Sequence, residues 1–248
     1  MSSTLIVTVD LDWACEPAIE GLLAWLDARA IPYTVFTTHR SAAVEARLAT
    51  VEVGLHPNFA PGSSHGTTTA AVVDHVVQLP HNIAAFRCHR FEHGNDSMEA
   101  MAAAGMRVSS NVCTDMDSPR PFRNRYGFLE IPVFFEDGGY LRLHKPLHID
   151  SAWRHAVARP GPKVLLLHPM HWALNSPTFY FMRQIKDSLS PENWNQLTTS
   201  DLECRRWQGP GIRTLVEEVL ELAERSGAEF TTIGRLAGLR EVSVSNAA

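Results

Sequence analysis

The chain has 248 residues, of which 45% are hydrophobic, 22 are Lys or Arg and 27 are Asp or Glu. Its mean hydropathy of -0.11, pI near 6.2 and formal charge of -5 are typical of a globular protein with one large domain or two small ones. The acidic balance disfavours a nucleic-acid partner, which would require a basic face. No apolar run reaches the roughly 18 residues of a membrane-spanning helix, so we expect no membrane insertion.

The N-terminal segment and the cysteines predict a cytoplasmic protein. No basic residue precedes the first apolar segment, as it would in a secretory signal. The four cysteines form no CxxC pair, so their spacing indicates neither a thiolate zinc site nor a compact disulfide framework. We expect all four to be reduced; they are Cys15, Cys88, Cys113 and Cys204.

Apolar runs rich in β-branched residues alternate with segments of helical spacing along most of the chain. Strands are predicted at 4–9, 33–38, 51–55, 84–88, 106–110, 128–135, 163–168 and 228–233. Helices are predicted at 16–30, 41–49, 68–79, 97–104, 151–158, 211–225 and 234–239. This alternation is typical of parallel α/β folds. We expect a single domain over residues 1–240 and a frayed tail at 241–248, with no internal repeat or linker.

Four predicted strands end in polar clusters, with the sequences VTVDLD, VGLHPN, AFRCHR and VLLLHP. In a parallel barrel the active site is built at the carboxyl ends of the strands, so these clusters are expected to converge on one face. Several of the 12 histidines lie within them. We therefore expect the chemistry of the protein at this face.

Two acidic residues, Asp10 and Asp12, end the first strand. Because alternate residues of a strand point the same way, both carboxylates can reach one site. Carboxylates this close repel each other unless a cation or an arginine lies between them. The alternative is that Asp12 caps the next helix while Asp10 meets a backbone amide.

The other strand ends supply imidazole and guanidinium groups. His56 directly follows one strand, where a lone histidine is more often a loop residue than a metal ligand. Arg87 and His89 share one side of another strand end, and Arg87 needs an anionic partner, for which Asp10 is a candidate. Three leucines precede His168, which indicates a buried strand that delivers a titratable group to a cleft.

The motifs VTVDLDW, EVGLHPNF, FRCHRF, EIPVFFED, VLLLHP and GIRTLVEEVLELAERSGAEFTTI resemble, in this order, the successive motifs of the polysaccharide deacetylase (NodB-homology) family, and in particular its WbmS-like branch. The resemblance spans nearly the whole chain. It implies a distorted (β/α) barrel with fewer than eight regular strands. It also implies a divalent metal, usually zinc, that hydrolyses N-acetyl groups on sugars.

The resemblance implies roles for five residues at the strand ends. Asp10 matches the catalytic base of the family, and Arg87 matches the arginine that holds this base. Asp12 and His56 match two metal ligands. His168 matches the late histidine that acts as the acid, and His171 remains an alternative for that role.

The chain departs from the family pattern at Ala60, where the second motif carries another histidine. A catalytic zinc normally has three protein ligands, so the third must come from elsewhere. We predict His89, because a strand end positions a ligand within the tolerance that a metal demands. His65, in the loop PGSSHG, is the alternative, and His93 is a more remote one.

Three aromatic residues closely follow ligand or acid positions, and we predict that they bind the substrate by stacking on a sugar ring. These are Trp13, Phe59 and Trp172. Core packing is the alternative for each of them. Trp13 and Ala14 also stand where the family commonly has Gly-Pro, so we expect a different sugar-binding lip.

The predicted function is that of a metal-dependent hydrolase, which removes an acyl group, normally acetyl, from the nitrogen of a sugar or sugar-containing intermediate. The expected cofactor is one divalent metal ion, with zinc as the first choice, and the expected partner is a carbohydrate or other small-molecule substrate. One alternative is an amidase that acts on a small or cyclic amide with the same site. Another is a non-catalytic carbohydrate-binding protein, which Ala60 favours and the retained acidic and basic residues oppose. The sequence does not predict an oligomeric state.

Overall fold

Parallel strands with almost entirely buried apolar side chains form the centre of the fold. In the computed structural model, which describes residues 3–239, these strands belong to one sheet. The strands are β1 (Ser3–Asp10), β2 (Tyr33–Thr37), β3 (Glu52–Leu55), β4 (Ala85–Phe86), β5 (Val108–Ser109), β6 (Phe122–Arg123), β7 (Leu129–Glu130), β8 (Val133–Glu136), β9 (Gly161–Leu167) and β10 (Glu229–Thr231).

The strand order is β6-β7-β5-β4-β3-β2-β1-β9-β8, and every pair is parallel except β6 with β7. β1 is an interior strand and lies between β2 and β9. Its first half pairs with β10 and its second half with β2, while β9 covers its other edge. The carboxyl ends of the parallel strands therefore lie along the same edge of the sheet.

The sheet curls until the segment after β5 meets β8. Val133 N donates to Val112 O and Thr114 N donates to Val133 O, both at 2.8 Å, and Met116 N donates to Phe134 O at 3.0 Å. We call this contact, between residues 112–116 and 133–134, the closure seam. The result is a distorted barrel within one domain, so the predicted fold class is confirmed.

Helices cover the outside of the barrel, and the main core lies between the sheet and α1, α6, α7 and α11. The spacing of Ile19, Leu22, Leu23 and Leu26 gives α1 one fully buried apolar stripe. The helices are α1 (Glu16–Ala28), α2 (Ala42–Glu45), α3 (Thr69–Val76), α4 (Asn95–Ala103), α5 (Asp137–Arg142), α6 (Ser151–Ala158), α7 (Pro169–Ala173), α8 (Phe179–Asp187), α9 (Pro191–Asn195), α10 (Thr199–Arg205), α11 (Ile212–Arg225) and α12 (Ile233–Ala237).

Within residues 3–239, no helix is both long enough and apolar enough to cross a bilayer. The tail predicted at 241–248, and with it the domain boundary predicted at 240, lies outside the described residues.

Candidate active site

The carboxyl ends of four strands bring polar side chains to one place on the barrel. Asp10 is the last residue of β1, and Asp12 follows two positions later. His56 comes directly after β3, His89 follows β4, and His168 directly follows β9. The fold thus places the polar strand ends side by side, as parallel pairing requires.

Asp12, His56 and His89 form a tight cluster. Oδ1 of Asp12 lies 3.0 Å from Nε2 of His56 and 3.0 Å from Nδ1 of His89. The three ligand atoms lie within 4.8 Å of one another, with His56 buried and the other two half-buried. One carboxylate and two imidazoles form a donor set that suits zinc and other first-row divalent metals. The cluster therefore fits a divalent ion with one side open.

Nearby positive charge dominates the ionisation of Asp12. Burial opposes the charged carboxylate, but His168, His56 and His89 outweigh burial and hold the pKa of Asp12 well below its usual value. The carboxylate is thus ready to bind a cation without losing a proton first.

Left-handed backbone conformations occur at or next to Asp12 and His89, the two half-buried members of the cluster. Asp12 and Trp13 have φ of 46° and 55°, and Arg90 and Phe91, directly after His89, have φ of 58° and 57°. Residues other than glycine rarely adopt this conformation, which costs roughly 1–2 kcal/mol each. Such strain is concentrated at functional sites, where the surrounding structure fixes the side chains.

Asp10 is bound to a buried arginine rather than to the cluster. Nη1 of Arg87 donates to Oδ1 of Asp10 at 2.8 Å and to Oγ1 of Thr8 at 2.9 Å. The guanidinium also donates to the backbone oxygen of Ser110 at 3.1 Å and to its hydroxyl at 2.8 Å. Arg87 is fully buried, and Oδ2 of Asp10 remains 3.6 Å from Nδ1 of His56. One carboxylate oxygen is therefore held by Arg87, and the other faces the cluster.

His168 follows the carboxyl end of β9, which lies on the other side of β1 from β3 and β4. Its Nε2 is 3.4 Å from Oδ2 of Asp12. Asp137 holds it with two hydrogen bonds, one from Nδ1 to Oδ1 and one from the backbone N to Oδ2 at 2.7 Å. Burial disfavours the charged imidazole, but Asp137 and Asp12 outweigh burial and raise the pKa of His168 well above its usual value. His168 is therefore positioned and charged as a proton donor.

The alternative ligands do not reach the cluster. Nδ1 of His65 accepts from Asn58 N at 3.2 Å, and Nε2 donates to Thr38 O at 2.8 Å. Both ring nitrogens are thus bound to the backbone, and no lone pair remains for a metal. His93 is exposed and belongs to no cluster of metal ligands in the described part of the chain.

His171, the alternative acid, is 3% exposed, and its Nδ1 lies 3.0 Å from the hydroxyl of Ser176. Burial lowers the pKa of His171 to about 4. A histidine that is neutral at physiological pH is a poor proton donor, so the geometry and the charge both favour His168.

The three aromatic candidates have different environments. Trp13 is half-buried, and its ring centroid lies 5.2 Å from that of His89. Phe59 packs against the small core around Phe86 and Phe128. Trp172 is only 5% exposed and packs between Trp25 and Arg213, which leaves little surface for a sugar ring. Of the three, the structure brings Trp13 beside the cluster.

Asp137 and Glu136 were missed as individual site residues, although the motif EIPVFFED contains both. They follow the apolar run of β8 just as Asp10 and His168 end their strands. An acidic residue at the end of a buried strand was the signal that could have identified them.

The model of the WbmS-like polysaccharide deacetylase family matches residues 7–186, which include every candidate ligand, base and acid described above. The chain belongs to this family. Polysaccharide deacetylases are hydrolases of N-acetyl groups on sugars, and the chain is an enzyme of this class. No curated protein matches the chain significantly.

Solved structures share the fold of this deacetylase. WbmS of Bordetella bronchiseptica, described as a polysaccharide deacetylase involved in O-antigen biosynthesis, is 22% identical with a TM-score of 0.75, over 89% of this chain and 90% of its own. A polysaccharide deacetylase structure from Mycobacterium smegmatis is 15% identical with a TM-score of 0.55, over 100% and 95%. The chitin deacetylase of Colletotrichum lindemuthianum is 10% identical with a TM-score of 0.53, over 97% and 89%. At these identities the similarity shows the fold.

Proposed function

We propose that this deacetylase removes the acetyl group from the nitrogen of a sugar or sugar-containing intermediate, with one divalent metal ion, zinc in the first instance, held by Asp12, His56 and His89. The observation that carries the proposal is the 3.0 Å approach of both imidazoles to one oxygen of Asp12. An arginine-bound carboxylate and an aspartate-bound imidazole flank this cluster, as acid–base hydrolysis of an amide requires.

The surroundings of the cluster support the choice of ligands. A divalent ion bound there would lower the pKa of a water molecule toward 7 and polarise an acyl oxygen. The second nitrogen of His56 lies 3.6 Å from the carboxylate of Asp10, which is just beyond hydrogen-bond distance. His89 supplies the third ligand that Ala60 cannot provide.

In this proposal Asp10 is the base. Its free oxygen faces the cluster and accepts a proton from the attacking water. Arg87 fixes the direction of this carboxylate, because its Nη1 binds Oδ1 of Asp10 at 2.8 Å.

His168 is the acid. Its Nε2 proton passes to the nitrogen of the departing amine, which is a poor leaving group unless it is protonated. Asp137 fixes the ring orientation and stabilises the imidazolium through Nδ1. Trp13 stacks on the sugar at the open side of the cluster, where its ring adjoins His89.

We further propose that the enzyme acts in the cytoplasm on a biosynthetic intermediate rather than on a finished external polymer. Cys113 and Cys204 are exposed free thiols, which are typical of a reducing compartment. The similarity to a protein described as involved in O-antigen biosynthesis also supports a biosynthetic substrate. Fractionation of the native host tests this, and a secreted or periplasmic pool of the enzyme would contradict it.

The ligand set is tested by elemental analysis of untagged protein, together with acetate release from free, nucleotide-linked and oligomeric N-acetyl sugars. We expect about one equivalent of metal in the wild type and little in His56→Ala or His89→Ala, with acetate release lost in parallel. His65→Ala, at the alternative ligand, and His93→Ala, at an exposed histidine, should both retain the metal. Loss of metal in His65→Ala with retention in His89→Ala would reverse the assignment of the third ligand.

A further inference from the structure

A cavity of about 250 Å³ lies along the closure seam, and Glu136 is one of the residues that line it. Residues 113–116 line one side of it, and residues 134–136, Gly139, Tyr140 and Leu143 line the other. Leu143 is 62% exposed, so the cavity opens to solvent next to this residue. Pockets for drug-sized ligands measure roughly 300–1,000 Å³, so this cavity has room for one ring rather than several.

One carboxylate connects the cavity with the acid. Oε2 of Glu136 accepts from Gly139 N at 2.7 Å and caps α5, whereas Oε1 accepts no hydrogen bond from residues 3–239. Ligand atoms of Glu136, Asp137 and His168 lie within 4.8 Å of one another. The residues that line the cavity thus include Glu136, whose carboxylate lies near His168 and has one oxygen without a hydrogen bond within residues 3–239.

The local sequence preserves the space for this carboxylate. A Cβ atom on Gly138 would lie 2.7 Å from Oε1 of Glu136, and one on Gly139 would lie closer still to Oε2. Any side chain at either position would displace the carboxylate. The sequence Glu-Asp-Gly-Gly therefore leaves room for the carboxylate of Glu136 next to the start of α5.

The direction of the substrate follows from the proposed function, on which this inference rests. The carbonyl group of the amide faces Asp12 and its neighbours, and the amide nitrogen faces His168. Whatever is bonded to that nitrogen then extends past His168 toward Glu136. The part of the substrate next to the cavity is thus the sugar ring rather than the acetyl group.

We propose that this cavity binds the ring that carries the acylated nitrogen, and that Oε1 of Glu136 accepts a hydrogen bond from a hydroxyl group of that ring. Among the lining residues, half-buried Met116 and exposed Leu143 offer apolar surface that suits the apolar face of a pyranose. A carboxylate or phosphate next to the acylated nitrogen is repelled by Glu136. The favoured substrate is therefore a single uncharged N-acetylated ring, either free or at the end of a larger molecule.

The first test fills the cavity without changing any charge. Leu143→Trp places a larger side chain at the opening, and we expect the KM for N-acetylglucosamine to rise at least tenfold. The kcat/KM for trifluoroethyl acetate, whose leaving group is too small to need the cavity, should change much less. Phe122→Trp is the matched control, because Phe122 is 44% exposed but does not line the cavity, and it should behave like the wild type.

The second test removes only the charge. Glu136→Gln keeps an oxygen that can cap α5, and we expect its KM for N-acetylglucosamine to rise about tenfold. Saturation-transfer NMR should show the same loss of N-acetylglucosamine binding. Asp150→Asn is the matched control, because Asp150 caps α6 in the same way away from the cavity, and its KM should equal that of the wild type.

Unchanged KM values in both Leu143→Trp and Glu136→Gln, in an enzyme that still deacetylates N-acetylglucosamine, would overturn this inference and leave the proposed function intact. If Leu143→Trp instead altered the preference between N-acetyl and N-butyryl glucosamine at constant KM, the cavity would hold the acyl group and the inference would be wrong. If the zinc-loaded wild type released acetate from no N-acetyl sugar, the proposed function itself would fail, and this inference with it.

Discussion

Asp10 and Asp12 stand two residues apart, yet their environments give them different chemistry. Asp10 is buried and paired with Arg87, and Asp12 is half-buried between two imidazoles. A carboxylate already held by a guanidinium is a poor metal ligand, whereas one in contact with two imidazoles can share a divalent ion with them. The partners therefore distinguish the proposed base from the proposed ligand where the spacing in the sequence cannot.

Replacing Asp10 with asparagine tests this division. We expect Asp10→Asn to retain the metal, because the proposed ligands Asp12, His56 and His89 are unchanged, while acetate release falls by about 10²- to 10⁴-fold through loss of the proposed base. Metal content and kcat, measured on the same preparation, check the prediction. Loss of metal in Asp10→Asn would mean that Asp10 is a ligand and that the roles of the two aspartates are exchanged.

His168 gives a prediction that depends on the leaving group. His168→Ala should damage hydrolysis of N-acetyl amides by about 10²- to 10⁴-fold and acetate esters of phenols far less, because an amine departs only when protonated and a phenolate does not need the proton. Rates on an amide and on a phenyl ester, in the wild type and the variant, provide the comparison. Equal damage to both would show that His168 positions other groups instead of donating a proton.

At the scale of the elements, the strands were easier to predict than the helices. Long apolar runs followed by Asp or His identified β1, β3 and β9, because a buried strand that ends at a site has both features. The helices between His168 and α11 were not predicted. Of these, α8 carries no buried residue and its apolar side chains are only partly covered, so its pattern differs from that of a core helix.

The site was predictable where a strand end fixes the side chain. The sequence therefore brought Asp10, Asp12, His56 and Arg87 into one hypothesis. The left-handed turns at Asp12 and Arg90 contain no glycine, which is the residue that usually indicates such a turn in a sequence. The position of His89 relative to Asp12 could therefore not be derived. Whether an aromatic residue stacks on the core or on a sugar depends on its neighbours in space, which the spacing of Trp172 does not reveal.

Arg87 connects elements that are distant in the chain. It extends from the end of β4 to Thr8 and Asp10 on β1 and to Ser110 beyond β5. We expect Arg87→Met to reduce the free energy of unfolding by about 3–5 kcal/mol, because it leaves the carboxylate of Asp10 buried without its partner. Urea unfolding measures this loss. The double variant Asp10→Asn/Arg87→Met should recover part of it, and a double variant no more stable than Arg87→Met would contradict this explanation.

For the whole molecule, two buried histidines predict how stability depends on pH. Burial lowers the pKa of both His65 and His171 from 6.5 to about 4. The unfolded chain therefore binds more protons than the folded protein between these values. The contribution of these two histidines to stability should be constant above about pH 6.5 and fall toward pH 4, with a slope of up to about 1.4 kcal/mol per pH unit for each histidine.

Chemical denaturation of metal-free protein across this range measures the slope, since metal removal eliminates the contribution of pH-dependent metal binding. His171→Gln should flatten the dependence, because the group that titrates is gone. His93→Gln, at an exposed histidine, should leave the slope as it is in the wild type. A slope unaffected by His171→Gln would show that other groups govern acid unfolding.

The closure seam joins the first and second halves of the barrel through a few backbone hydrogen bonds. The cavity lies at this seam, with residues 113–116 on one side and residues 134–136 on the other. A sugar ring bound between these two segments would contact both of them and oppose their separation. Binding of N-acetylglucosamine should then slow hydrogen exchange at the amides of Thr114, Met116 and Val133 more than at those inside β1. Local opening of the barrel at the closure seam would then depend on whether substrate is bound.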